Sequence, residues 1–315
     1  MSETTASSPG KIILFGEHAV VYGRPAIAAP LSQVRAEAIV EDRDDSGILL
    51  IAPDLNRRYW LRQARSEDPF ARAVRITLDA LSLPEEPSLA ITVKSEIPIA
   101  SGLGSGAAMA AAVVRATYNH LSSTGPASDE LVSSLTYQVE RILHGTPSGI
   151  DNSVVASEKP IFFVRHEPEN QVETLKVGIP FLILVADTGV VSKTKDVVGD
   201  VRRQWMESTD LFDRLFDNCG RVAYLARQVI EDGDSFRLGQ LMTENQSYLR
   251  RLTVSSSELE TLITAAEEAG AVGAKLSGAG RGGNMIALVD KDKVNKIREA
   301  LLAAGAKGVL ESEIG

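Results

Sequence analysis

The sequence predicts an α+β fold of two domains, and three observations lead there. Strand-like and helix-like segments mix without the steady βαβ repeat of a doubly wound sheet. The 315 residues exceed the ~100–200 usual for one domain. The chain also changes character near residue 179, where a strongly apolar strand opens a half dominated by long helical patterns. The expected division is therefore 1–179 and 180–315.

Residues 11–15 read as a short strand ended by Gly16, and residues 34–40 alternate at the period of two expected of a half-buried strand. Residues 42–47 are turn-like, with short strands on either side of residues 52–58, at 48–51 and 59–61. A helix is expected over 70–81 and a strand over 89–95, then a glycine loop and an alanine-rich helix to about residue 121. Ser128 is placed to cap a helix running to 143, with Asp129 and Glu130 suiting its first turn. Residues 153–156 are strand-like. In the second half, a strand over 180–186 precedes helical patterns at 196–230, 235–250 and 256–269. Strands at 272–276 and 285–289 flank a glycine-rich turn, and a helix over 294–304 leads to a last strand at 308–313.

With 44% hydrophobic and 24% charged residues, the chain has the composition of a globular protein with ample core. A net charge of −9, with no basic face standing out, argues against a nucleic-acid partner. One cysteine, Cys219, excludes an intramolecular disulfide and any cysteine-rich metal site, and reads as a buried small hydrophobe. The first eight residues are polar and lack the regions of a signal peptide. No apolar run approaches the ~20 residues of a membrane helix. A cytoplasmic location without a membrane partner is expected.

The segment from Ile97 to Met109 is the most informative. Glycines 102, 104 and 106 stand between a strand-like run and a helical run, where bare N–H groups and the positive end of a helix dipole make an anion site. No lysine follows in the P-loop manner, and the G-x-G-x-G spacing is not that of the dinucleotide fingerprint. The expected ligand is a phosphate chain. Ser105 offers a hydroxyl that could cap the helix or reach a metal.

The run Pro98-Ile-Ala-Ser-Gly-Leu-Gly-Ser-Gly-Ala-Ala108 resembles the ATP loop of the GHMP kinases, usually P-x-x-x-G-L-G-S-S-A-A, with Gly106 replacing the second serine. Pro9-Gly-Lys-Ile-Ile-Leu-Phe-Gly-Glu-His-Ala-Val-Val-Tyr-Gly23 resembles the first family motif in its mevalonate form, and Lys275-Leu-Ser-Gly-Ala-Gly-Arg-Gly-Gly-Asn284 the third. The resemblance implies an N-terminal domain like ribosomal protein S5 domain 2 and a ferredoxin-like C-terminal domain, with the active site between them. It also implies ATP as co-substrate, Mg²⁺, and a homodimer.

Phosphoryl transfer needs a phosphate cradle, a cation, a group to deprotonate the acceptor, and positive charge. By resemblance, Pro98, Ile99, Ala100, Ser101, Gly102, Leu103, Gly104, Ser105, Gly106, Ala107 and Ala108 bind ATP. Glu140 and Ser105 would hold Mg²⁺, since Glu140-Arg-Ile-Leu-His-Gly-Thr-Pro-Ser-Gly-Ile-Asp-Asn152 resembles the stretch around the family's metal-binding glutamate and catalytic aspartate. Asp151 would be the general base with Lys11 beside it; without the resemblance, an aspartate near a turn more often satisfies backbone N–H groups. Glu17, His18, Thr188, Gly278 and Ala279 are expected at the acceptor. Gly278 to Gly283 formally satisfies G-x-G-x-x-G, but it lies between strands instead of opening a helix. Arg281 there either approaches a phosphate or points to solvent.

The implied activity is transfer of the γ-phosphoryl group of ATP to the 5-hydroxyl of mevalonate. A sugar kinase of the galactokinase type is the alternative; galactokinases typically show Thr-Asp-Tyr after the histidine, where this chain has Ala19-Val-Val-Tyr22. A non-catalytic ligand sensor on the same fold would be expected to lose Asp151, Lys11 or a metal ligand, and all are present.

Overall fold

The strand β1 (Glu3–Phe15) begins eight residues earlier than its apolar run suggests, because its polar start is half-exposed while residues 8–12 are buried. The computed structural model describes residues 2–83, 86–98, 102–144, 147–166 and 170–315, with the backbone alone at 143 and 144. The described residues form two compact units. The first runs to Lys11, takes in the chain from Leu31 up to the glycine loop, and ends with Leu103–Glu158. The second holds Ile12–Pro30, Gly102 and Lys159–Gly315. Contact density thus breaks the chain after Glu158 and assigns residues 12–30 to the later unit, whereas the expected division at 179/180 follows sequence character alone.

In the first unit the strand order is β4 (Arg57–Trp60), β3 (Ile48–Ala52), β5 (Leu89–Ser95) and β2 (Ala26–Asp42). β5 is antiparallel to β2, with Ala36 opposite Ser95, and parallel to β3. Four helices pack together: α1 (Pro69–Leu81), α2 (Ser105–Leu121), α3 (Asp129–His144) and α4 (Ile150–Ser157). Asp68 caps α1 by accepting from Ala71 N–H, and Ser128 Oγ accepts from Leu131 N–H as expected of a cap. α2 is buried over most of its surface because its alanines let neighbouring helices approach closely.

The expected strand at 153–156 is a helix, α4. Gly149, at φ 95°, turns the chain, and Ser153 Oγ returns a hydrogen bond to Gly149 O. Over four residues of which three are apolar, period alone does not separate a buried strand from a buried helix, and packing against α2 and α3 decides it here.

In the second unit, residues Ala26–Ala28 of β2 pair with β6 (Ile161–Val164), which pairs with β7 (Gln171–Thr174); neither β6 nor β7 was expected. A separate antiparallel sheet has the order β11 (Gly308–Ile314), β8 (Phe181–Asp187), β10 (Asn284–Val289), β9 (Gly273–Ser277). The helical pattern at 196–230 is two helices, α5 (Thr194–Glu207) and α6 (Thr209–Asp232), broken at Ser208 with ψ 56°. α7 (Ser235–Arg251), α8 (Ser257–Ala269) and α9 (Val294–Ala303) complete the unit. Its core joins Leu184 and Met285 of the sheet to Phe216, Cys219, Ile263 and Leu301 of the helices. Cys219 is fully buried as expected, and burial pushes its thiol up to about 12.

α7 crosses β9 where two glycines face each other. A methyl group on Gly273 would lie 2.3 Å from the carbonyl oxygen of Gly239, and one on Gly239 would lie 2.3 Å from that of Val272. The obstacles are backbone atoms and cannot swing aside. Gly273→Ala is therefore expected to lower stability by about 1–3 kcal/mol, read from the urea unfolding midpoint; an unchanged midpoint would show that α7 can slide over β9.

Candidate active site

Lys11, in β1, is only 5% exposed. Its N–H donates to Leu103 O at 2.8 Å, fastening β1 to the end of the glycine loop. Its ammonium lies 3.2 Å from Oδ1 of Asp151, in the first turn of α4. Burying an ammonium is costly unless a counter-charge is near, and Asp151 supplies one. Asp151 itself keeps 30% of its side chain exposed.

Glu140, on α3, is 4% exposed, and its carboxyl is pushed up to about 8. Lost hydration is the main cause and the charge of Asp151 the second, with Lys11 opposing both. Lys11, Glu140 and Asp151 therefore form one electrostatic cluster. Gly104, at φ 76°, precedes α2 and presses on Lys11, since a methyl group on it would sit 2.8 Å from Lys11 Cγ. That contact brings the start of α2, where Ser105 stands, beside the cluster.

The second unit holds the other motif residues. Glu17 and Lys275 form an ion pair with no side-chain exposure on either partner, and Asn245 Nδ2 donates to the second carboxylate oxygen at 3.2 Å. His18 follows at φ 59°, ψ −47°, and Ala19 N–H donates to Glu17 O at 2.7 Å across it. That is a γ-turn of the rarer, strained hand. The His18 ring meets Ala279 O through Nε2 at 2.8 Å, and burial holds the imidazole down to about 4. A neutral ring facing a carbonyl carries its proton on Nε2, which leaves a lone pair on Nδ1. Thr188 Oγ1 donates to Gly283 O at 2.8 Å and accepts from Val190 N–H.

Several expectations change on this geometry. Glu17 was expected to line the acceptor pocket, but its carboxylate has no exposed surface and is bound by Lys275 and Asn245. The Thr188 hydroxyl is likewise engaged on Gly283 and Val190. Arg281 does neither of the things expected of it: its guanidinium binds Asp200 at 2.6 Å and Thr253 O at 3.0 Å. Gly278 and Ala279 are partly exposed beside His18. In the glycine loop Pro98 and Gly102 are exposed, Gly104, Ser105 and Gly106 are half-buried, and Leu103, Ala107 and Ala108 are buried. Ile99, Ala100, Ser101 and the side chain of His144 lie outside the described residues. Lys275 and Asn245 were not foreseen as parts of a site. Lys275 could have been: a charge inside the apolar strand Gly-Ala-Lys-Leu-Ser has to meet an opposite charge.

Among the described residues no group of three or more His, Cys, Asp or Glu side chains could hold a metal, and no helix is long and apolar enough to cross a membrane.

Comparison with known proteins decides the family. The model of the GHMP kinases N terminal domain matches residues 69–158, and that of the GHMP kinases C terminal matches residues 225–307. A mevalonate kinase of Thermococcus sibiricus is 34% identical over 97% of this chain and 94% of its own. The chain belongs to the GHMP kinase family. A Pyrococcus abyssi mevalonate kinase is also 34% identical, over 95% of this chain and 92% of its own. The crystal structure of L. major mevalonate kinase in complex with R-mevalonate superposes with a TM-score of 0.83 at 29% identity, covering 100% of this chain and 96% of that one. The two-domain α+β fold of GHMP kinases is thus the fold of this chain, and the two matched segments fall on either side of residue 179.

Glu140 gives this GHMP kinase a pH signature. Burial favours its protonated form, so its contribution to stability is complete below the ordinary 4.5 and is lost as pH rises through about 8. Glu140→Gln cannot ionise. In the absence of nucleotide and Mg²⁺, its unfolding midpoint relative to the wild type should rise steadily between pH 5 and 8.5. A difference independent of pH would show that Glu140 is ionised throughout.

Proposed function

We propose that this GHMP kinase transfers the γ-phosphoryl group of ATP to the 5-hydroxyl of mevalonate, yielding ADP and 5-phosphomevalonate. The observation that carries most weight is the Lys11–Asp151 pair, seated where the glycine loop enters α2, in a chain whose full-length relatives are mevalonate kinases.

In this mechanism the backbone N–H groups of the glycine loop and the N-terminal end of α2 cradle the phosphates. Asp151 accepts the proton of the 5-hydroxyl as that oxygen bonds to the γ-phosphorus and the bond to the bridging oxygen of ADP breaks. Lys11 keeps Asp151 oriented and opposes the negative charge that builds on the attacking oxygen as it loses its proton. His18, Gly278 and Ala279 touch the acceptor. Glu17 and Thr188, whose polar atoms are engaged within the fold, shape that surface from behind.

Mg²⁺ fits the donor set. Ser105 and Glu140 would hold it, offering a hydroxyl and a carboxylate, both hard oxygen donors. A buried carboxyl next to another acid is the kind of group that a dication would discharge. Two protein ligands suffice when phosphate oxygens and water complete the shell. When bound, the cation would draw charge from the transferring phosphoryl group.

The purified protein given ATP, Mg²⁺ and mevalonate is expected to release ADP and 5-phosphomevalonate, with galactose as the control acceptor; no turnover at millimolar mevalonate would overturn the proposal. Asp151→Asn and Lys11→Met are each expected to lower kcat by roughly 10²–10⁴-fold with the KM for ATP nearly unchanged. Near-normal turnover of Asp151→Asn would remove it as the base. Glu140→Gln should raise the Mg²⁺ concentration needed for half-maximal rate, and an unchanged requirement would take Glu140 out of the cation site.

A further inference from the structure

We propose that Lys275 is a positioning residue for the acceptor: buried beneath the first motif, it fixes Glu17 and so holds His18 in the strained turn that presents its ring. The inference rests on the mevalonate kinase function proposed above.

The chain of contacts is continuous and lies within the second unit. Lys275, in β9, directs Nζ to one oxygen of Glu17 and, at 2.6 Å, to the carbonyl of Leu276. Asn245, from α7, takes the other Glu17 oxygen at 3.2 Å. With both oxygens held, the carboxylate cannot rotate, and the direction of residue 17 is set. Its carbonyl then accepts the Ala19 N–H that closes the γ-turn over His18. Val20 N–H to Gly16 O and Val21 N–H to His18 O continue the turn into a short 3₁₀ segment. The ring ends on Ala279 O, four residues beyond Lys275 in the third motif.

A histidine at φ 59°, ψ −47° stores backbone strain of the kind that persists only where the surroundings over-determine it. The surroundings here do so from two sides, with a buried ion pair before the turn and a carbonyl after it. The pair is a costly anchor. Burial raises Glu17 and lowers Lys275, and each is drawn back by the charge of the other. A well-packed apolar pair often stabilises as well or better, and the apolar residues Cys219 and Leu276 of the core lie in the same unit. What an apolar pair cannot do is hold a carboxylate by both oxygens and so fix the residue that precedes His18. Positioning accounts for a charge pair where stability alone would not require one.

The test uses Lys275→Met and the double variant Glu17→Gln/Lys275→Met, which leaves no buried charge unpaired. The double variant should fold with an unfolding midpoint near that of the wild type. Its KM for mevalonate should rise roughly 10- to 100-fold while the KM for ATP stays within a factor of about two. Independently of activity, ring ¹H–¹⁵N spectra of the free protein should change: wild-type His18, assigned by loss of its signals in His18→Gln, shows the Nε2–H tautomer alone, and the double variant shows a mixture. Unchanged KM for mevalonate together with a single tautomer would overturn the proposal. Should the double variant fail to fold, Asn245→Ala, which keeps the ion pair but frees one carboxylate oxygen, must move the same two readouts, and its failure to do so overturns the proposal equally. A wild type that binds ATP but never phosphorylates mevalonate would defeat the function proposed above, while the tautomer measurement would still decide the role of Lys275.

Discussion

A lysine removed from water keeps its charge only beside a carboxylate, and this chain meets that requirement twice. Lys11, 5% exposed, lies against Asp151, and Lys275, with no exposure, lies against Glu17. The two solutions differ in a way that follows from solvent. Glu17 is sealed in and fully spent on its partners, so it can act only through the backbone it fixes. Asp151 keeps nearly a third of its side chain open, so the same kind of ion pair leaves carboxylate surface that a ligand can reach. A closed pair suits holding geometry, and the half-open pair suits the base role proposed above.

Glu140 shows what happens to a buried acid without such a partner. Lys11 opposes its shift, but desolvation and the nearby Asp151 outweigh that help, and the carboxyl is pushed up to about 8. The first unit therefore holds two acids of very different burial within one electrostatic cluster. The start of α2 beside this cluster supplies fixed partial positive charge but no side-chain cation, which makes the glycine loop compatible with a phosphate chain that brings its own counter-ion.

Most of the fold was legible in the sequence because period and punctuation agree along it. The strand Leu89–Ser95 and the helix α1 lie within a residue of expectation, since a clean apolar pattern and a capping Asp68 bound them. Two of the misses share a cause. Residues 153–156 and 161–164 are short runs, apolar except for Ser153, and largely buried, which leaves too little period to distinguish helix from strand, so only packing assigns them. At the site, Lys11, Glu140 and Asp151 could be named from motif residues, but the role of Glu17 could not. Its partner is 258 positions away along the chain, and nothing local in Gly16-Glu17-His18 shows that its carboxylate turns inward. Lys275 was readable in principle as a charge stranded in an apolar strand, yet the sequence does not say which acid meets it.

Arg281 makes the same point about charge from the opposite side. Arg281 stands at φ 55°, a conformation glycine adopts freely and arginine rarely does. Its N–H donates to Val254 O at 2.6 Å, and its guanidinium is neutralised by Asp200 and bonded to the Thr253 carbonyl, so the side chain stitches the third-motif turn to α5 and to the end of α7. A guanidinium held this way would have to break the Asp200 pair before it could neutralise a phosphate, losing much of what it gained. In the function proposed above, the positive charge opposing phosphoryl transfer is then assigned to Lys11, to backbone N–H groups and to a bound cation, because both cationic side chains of the third motif, Lys275 and Arg281, are engaged within the fold.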